Sequence, residues 1–175
     1  MKIINLTEEL SIKQLDVKNE RDRWLIQQLD QDTTTTKYLD HFHNLLSFLD
    51  SEEHSTYFDT SYSIWNRTHP VGFLEISRIF TRIDPISFAT LEYAILKQER
   101  GKQYATTTVR KITELLLEEL AVMKIIVDEK NVASEKVAQN SGYIFEKSVY
   151  NETLEANFKF YQKTKTMLMQ ENCRK

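Results

Sequence analysis

Six consecutive residues, Arg100-Gly101-Lys102-Gln103-Tyr104-Ala105, combine two cations, a glycine and the first positions of a helical pattern. A tight basic turn that feeds a helix start presents a row of main-chain N–H groups, backed by roughly half a positive charge from the helix dipole. Such a turn suits a phosphate or diphosphate. The flanks it needs are present. Phe88 to Leu96 is apolar, strand-favouring and free of Pro and Gly. Downstream, Val109, Ile112, Leu116 and Leu120 recur at spacings of three and four among Arg110, Lys111, Glu114, Glu118 and Glu119, which predicts an amphipathic helix of about four turns. Two carboxylates are candidates for moving a proton. Glu75 and Glu92 each stand on a strand-like run where a side chain could face a cleft and act through water, although a solvent-facing Glu or a core-edge ion pair is the simpler account of either.

The rest of the chain supplies elements to position these groups. Met1 to Asp50 is polar and helix-leaning, with Trp24, Leu25, Gln28 and Leu29 in one helix and Tyr38, Phe42, Leu45, Leu46 and Leu49 in another. Between them, Asp30 to Thr36 reads as a loop whose Thr run caps the second helix. Thr56 to Trp65 and Val71 to Ile79 are dense in β-branched and aromatic residues, separated by the turn Asn66-Arg67-Thr68-His69-Pro70. With the strand from Phe88 they predict an antiparallel three-stranded meander. Met123 to Asp128 is a short apolar run expected for a strand covered on both faces, parallel to the strand before the long helix. Asn131 to Ser141 reads as a short helix that Gly142 ends in a left-handed cap. Tyr143 to Lys147 and about Asn157 to Leu168 read as two closing strands.

Composition narrows the class. A chain of 175 residues, 41% of them hydrophobic, buries one core, so residues 1–175 read as a single domain. The 23 basic and 26 acidic residues are interspersed, which argues against a nucleic-acid surface. Cys173 is the only cysteine, so neither an intrachain disulfide nor a cysteine-based zinc site can form, and no metal is expected. No basic-then-apolar leader is present, and no apolar run approaches the roughly 20 residues of a membrane helix. The expectation is a cytoplasmic protein without a membrane partner, and a homodimer is left open.

These residues resemble the GNAT acyltransferases, which move an acetyl group from acetyl-CoA to an amine. The family's coenzyme loop reads Arg or Gln, any, any, Gly, any, Gly or Ala, commonly with a further Gly after the Arg. Arg100, Gly101 and Ala105 fill the first, extra and last positions, and Gln103 replaces the central glycine. A second block, Asn131-Val132-Ala133-Ser134 followed by Asn140-Ser141-Gly142-Tyr143, is similar to the Asn, any, any, Ser then Gly-aromatic segment of the ribosomal-protein N-terminal acetyltransferase-like branch. Pro70-Val71-Gly72 matches the same branch, and the likeness covers roughly residues 55 to 150. The chain has three glycines, at 72, 101 and 142, and all three fall on family positions, so each marks a place where backbone freedom is needed.

The resemblance implies an α/β fold of the mixed α+β kind, with a twisted mixed sheet of about six or seven strands, an antiparallel N-terminal meander, a splayed parallel pair at the coenzyme cleft and about four helices. It implies that main-chain groups of Gln103, Tyr104, Ala105 and Thr106 hold the diphosphate, with charge from Arg100 and Lys102 around the turn at Gly101. Strand groups at Ala94, Ile95 and Leu96 pair with the pantetheine arm. Asn131 resembles a pantetheine ligand and is equally a helix N-cap; Ser134 resembles a residue near the acetyl group and thiol and could equally bond its own backbone. The family's frequent proton donor, a tyrosine four residues before the glycine, aligns with Ala138. That leaves Glu92, Glu75 and Ser134 as catalytic candidates, with His41 and His43 on a helix lining the acceptor side. Deprotonating a lysine amine at pH 7 costs about 4.6 kcal/mol and an α-amino group about 1 kcal/mol, so a chain without an evident strong base suits a peptide or protein N-terminus or a small amine of low pKa. The implied activity is direct attack of a neutral amine on the thioester; the alternative is a weak or inactive relative that binds a CoA thioester or a protein.

Overall fold

The computed structural model describes residues 3–39, 61–79 and 88–173. Its strands form one mixed sheet in the order β1-β2-β3-β4-β5-β6-β8-β7, and the chain divides into two compact units, one comprising Met1–Glu75 with Glu92–Thr108 and the other Ile76–Leu91 with Val109–Lys175.

In the first unit, β1 (Ile3–Asn5) and β2 (Ser11–Gln14) form a short hairpin, β2 pairs with β3 (Ser61–Trp65), and β3 with β4 (Pro70–Ile79), all antiparallel. The hairpin is a correction to the helix-leaning reading of the N-terminus. Each of its strands is too short to show a period of its own, and β2 exists because Ile12 pairs with Ile64 in the longer strand beside it. Helix α1 (Glu20–Asp30) starts where Asn19 accepts the Arg21 N–H at 2.9 Å, and its apolar stripe, Leu25, Ile26 and Leu29, enters a core with Leu15, Phe73, Ala94 and Leu96. The threonine run is itself helix α2 (Thr33–Tyr38), capped by Asp32, rather than a loop. The helix expected over residues 38–49, and with it His41 and His43, lies outside the described residues apart from its first two positions.

In the second unit, β6 (Val122–Asp128) pairs antiparallel with β8 (Ala156–Thr164), and β8 with β7 (Ile144–Asn151). Strand β5 (Phe88–Ile95) runs parallel to β6 over the register Phe88↔Val122 to Thr90↔Lys124, three of its eight residues. Helix α3 (Tyr104–Leu116) makes the crossover between them, and it buries Val109, Ile112 and Thr113 in this unit. This is the expected strand-helix-strand unit with its short parallel pairing. Helix α4 (Val132–Asn140) ends at Gly142, whose φ of +82° confirms the left-handed stop, and the Tyr143 N–H returns to the Ala138 carbonyl at 3.1 Å. The last strand is shorter than expected. Thr164 caps a fifth helix, α5 (Lys165–Asn172), and the buried Lys163 ammonium ties that helix down through Glu171 at 2.8 Å and the Ser141 carbonyl at 3.1 Å. Eight strands and five α-helices among the described residues thus replace the expected six or seven and four.

Gly72 marks a close approach of main chain in the first unit. A Cβ there would stand 2.4 Å from the Ala94 carbonyl oxygen and 2.7 Å from Ile95 Cδ1. Because the obstructing atom is main chain, Gly72→Ala should destabilise the first unit by about 1–3 kcal/mol, read as a lower urea midpoint; an unchanged midpoint would show that the seam between β4 and β5 can open freely.

Candidate functional site

The basic turn follows a short 3-10 turn, Lys97–Glu99, at the end of β5. Leu96 donates its N–H to the Val71 carbonyl at 2.9 Å, so Leu96 is turned toward β4. Main-chain groups alternate along a strand, so Ile95 is turned the other way, and its carbonyl accepts the Arg100 Nε–H at 3.1 Å. The Leu96 N–H is thus engaged with β4 and the Ile95 carbonyl with Arg100. Glu75 lies on β4 and Glu92 on β5, strands that neighbour one another in the sheet. Both are half-buried and engaged in polar contacts.

The turn itself is left-handed twice, at Gly101 with φ +80° and at Gln103 with φ +61°. Gly101, Lys102 and Gln103 are exposed, and a Cβ on Gly101 would meet nothing within 4 Å. Helix α3 starts directly behind. Thr107 is the first residue whose N–H finds a helical carbonyl, that of Gln103 at 2.9 Å, so helix geometry gives the amides of Tyr104 and Ala105 no intrahelical acceptor. Thr106 makes a polar contact of its own. The turn thus offers open space, main-chain donors and the positive end of a dipole together, which fits a diphosphate.

Its two cations are not idle. Lys102 Nζ bonds the Glu99 carboxylate at 2.9 Å, and the other Glu99 oxygen faces His69 Nε2 at 3.3 Å. The Lys102 hydrogen bond lowers the Glu99 carboxyl most; burial pushes back, and His69 adds to the lowering. Arg100 Nη2 pairs with Asp32 Oδ2 and lies 3.4 Å from Thr35 Oγ1. Burial raises the Asp32 carboxyl, but the Thr34 amide, the Arg100 charge and the Thr35 hydroxyl together outweigh it and hold the group below the usual carboxylate range. The sequence reading missed Asp32, Glu99 and His69. A carboxylate three residues before Lys102, and another opening a threonine run, were the only signals, and both are common on surfaces.

In the second unit, Asn131 Oδ1 accepts the Ser134 N–H at 3.1 Å and caps α4, leaving its NH2 end out of the cap. Ser134 is half-buried and has a polar contact of its own. Beside it on α4, Glu135 accepts from Tyr161 Oη at 2.5 Å and Lys159 Nζ at 2.9 Å. Ala138, at the family's tyrosine position, is fully buried.

The chain matches the Acetyltransferase (GNAT) domain family over residues 8–144. It belongs to that family. Among solved structures it is similar to an acetyltransferase of the GNAT family from Bacillus anthracis, with a TM-score of 0.76 and 14% identity over 94% of this chain and 99% of that one. An aminoglycoside N(6')-acetyltransferase from Legionella pneumophila subsp. pneumophila str. Philadelphia 1 gives 0.73 and 14% over 93% and 96%. RimL, a ribosomal L7/L12 α-N-protein acetyltransferase in complex with coenzyme A, gives 0.73 and 14% over 93% and 98%. At these identities the likeness establishes the fold. No curated protein matches the sequence. Among the described residues of this GNAT domain, no cluster of three or more His, Cys, Asp or Glu could hold a metal, and no helix is long and apolar enough to cross a membrane.

The GNAT loop yields two predictions. A non-glycine residue at positive φ costs on the order of 1–2 kcal/mol and a glycine's extra unfolded-state freedom about 0.5–1 kcal/mol, so Gln103→Gly should raise the urea midpoint by up to ~1 kcal/mol of stability. A lower midpoint would show that Gln103 carries no strain. Glu99 titrates lower when folded, so its contribution is complete above the unfolded Glu value near 4.3 and is lost as pH falls through the folded one. Melting temperatures of wild type and Glu99→Gln should therefore differ most near neutral pH and converge toward pH 3; a gap that is independent of pH would refute the ionic role.

Proposed function

We propose that this GNAT domain, residues 1–175 acting as one catalytic unit, is a cytoplasmic acetyl-CoA-dependent N-acetyltransferase whose acceptor is a peptide or protein N-terminus or a small amine of low pKa. The observation that carries the reading is the turn at Gly101 and Gln103, open beside Gly101 and backed by the start of α3. Main-chain groups of Gln103, Tyr104, Ala105 and Thr106 would hold the diphosphate, and those of Ile95 and its neighbours Ala94 and Leu96 would line the pantetheine arm, with Asn131 contributing its NH2 end. Acetyl-CoA supplies an activated acetyl group. The chain's part is to hold the thioester against β5, where a strand N–H can stabilise charge on the carbonyl oxygen, while Glu92 or Glu75 takes the amine proton through water and Ser134 sits toward the thiol. Similarity to a ribosomal-protein acetyltransferase and to an aminoglycoside acetyltransferase supports an amine acceptor without selecting one. The partners in this reading are acetyl-CoA and the amine, with a homodimer left open and neither nucleic acid nor membrane involved.

A second reading, a GNAT-fold module that binds a CoA thioester or a protein without turnover, draws support from the buried Ala138 at the tyrosine position.

Calorimetric titration with acetyl-CoA tests the common part: heat should appear at micromolar coenzyme, and its absence would defeat both coenzyme readings. Thiol release with a panel of peptides and amines separates them. Turnover favouring α-amino acceptors, and falling at least about tenfold in Glu92→Gln or Glu75→Gln, supports the enzyme; binding without release for any acceptor supports the second reading.

A further inference from the structure

Arg100 opens the coenzyme loop, yet its guanidinium joins three pieces of the first unit rather than standing free. Nε holds the Ile95 carbonyl at the end of β5, and Nη2 meets both Asp32, the cap of α2, and Thr35 in its first turn. Asp32 in turn accepts the Thr34 N–H at 3.0 Å and the Thr35 hydroxyl at 3.2 Å. The carboxylate that starts α2 is therefore the one that fixes the first residue of the loop. Both sides need such a tie. Helix α2 has six residues, well below the length at which a helix holds itself, and the loop carries a left-handed glutamine that its surroundings must enforce. Among the described groups the Arg100 charge faces Asp32 alone as an ion-pair partner, while Lys102 is held separately by Glu99.

We propose that Asp32 is a positioning residue for the coenzyme loop, holding the Arg100–Gln103 turn to the start of α2 so that filling the turn with a diphosphate also orders α2. This rests on the coenzyme reading above for its ligand, and its ligand-free half does not. Linkage makes the tie reciprocal: a ligand that favours the formed turn favours the Asp32–Arg100 pair, and whatever steadies α2 steadies the turn.

Asp32→Asn isolates the tie, because Asn caps a helix as well as Asp does and lacks the charge that holds Arg100. Amide hydrogen exchange on the full chain, with and without coenzyme A, reads the effect. Without coenzyme, the variant should exchange faster than wild type over residues 100–107, by about fivefold or more. With coenzyme A, wild type should slow over residues 31–39 as well as over the loop, and the variant should slow over the loop alone. Unchanged loop exchange in the ligand-free variant, or coenzyme-induced slowing over 31–39 that survives in it, overturns the proposal. If wild type binds no coenzyme A while the ligand-free variant still loosens the loop, the positioning role stands and the coenzyme reading falls. Asp32→Ser, which also keeps a cap, serves should the Asn variant fail to fold.

Discussion

Two left-handed residues within three positions, between the end of β5 and the start of α3, are the constraint around which the neighbouring residues are arranged. Glycine takes such a conformation freely; glutamine does so at a cost on the order of 1–2 kcal/mol. Residues outside the turn must therefore hold it. The α3 ladder grips its far end through the Gln103 carbonyl, and Arg100 and Lys102 grip its near end through Ile95, Asp32 and Glu99. These contacts shape the bend from the chain's own residues.

The same contacts decide what kind of anion site the turn would be in the proposed coenzyme reading. With Arg100 facing Asp32 and Lys102 facing Glu99, the basic turn is close to neutral as a local charge distribution, although the sequence presents it as two cations. Attraction then comes mainly from the α3 amides and dipole, which do not titrate and whose reach ends within the first turn. Such a site would select by shape and donor geometry more than by long-range charge, which suits the proposed coenzyme, whose diphosphate is one part of a long molecule.

Much of this was legible in the sequence because it depends on local grammar. The turn, the amphipathic α3, the β6 strand and the stop at Gly142 are each written in contiguous residues and appear where the pattern put them. Strand β6 alternates, however, with Met123, Ile125 and Val127 buried and Ile126 exposed, where cover on both faces was expected. What escaped reading depends on distant partners. The β1–β2 hairpin exists because Ile12 lies beside Ile64, the end of β8 is set by Thr164 turning into α5 over the Lys163–Glu171 contact, and the partner of Arg100 lies 68 positions away at Asp32. A threonine run after an aspartate reads as a loop or a helix with equal ease until a cation is found to fix it. The candidate catalytic carboxylates were legible as strand residues; that their strands are neighbours in the sheet was not written in either segment alone.

Ala138 bears on the chemistry more than its size suggests. Its side chain is fully buried, and its carbonyl receives the Tyr143 amide, so the place where the family often carries a tyrosine is here occupied by packing. A bulky phenol could not replace it without opening that core. Proton accounting shows which acceptors can do without the donor. An alkyl thiolate with a pKa near 8.5 gains a proton at pH 7 with a fall of about 2 kcal/mol, and an α-ammonium gives one up at a cost of about 1 kcal/mol, so the exchange runs downhill through water alone. A lysine side chain, at about 4.6 kcal/mol, would require a base placed with care. The proposed acceptor of low pKa is therefore the one whose proton exchange makes the least demand on a site with Ala138 at the tyrosine position.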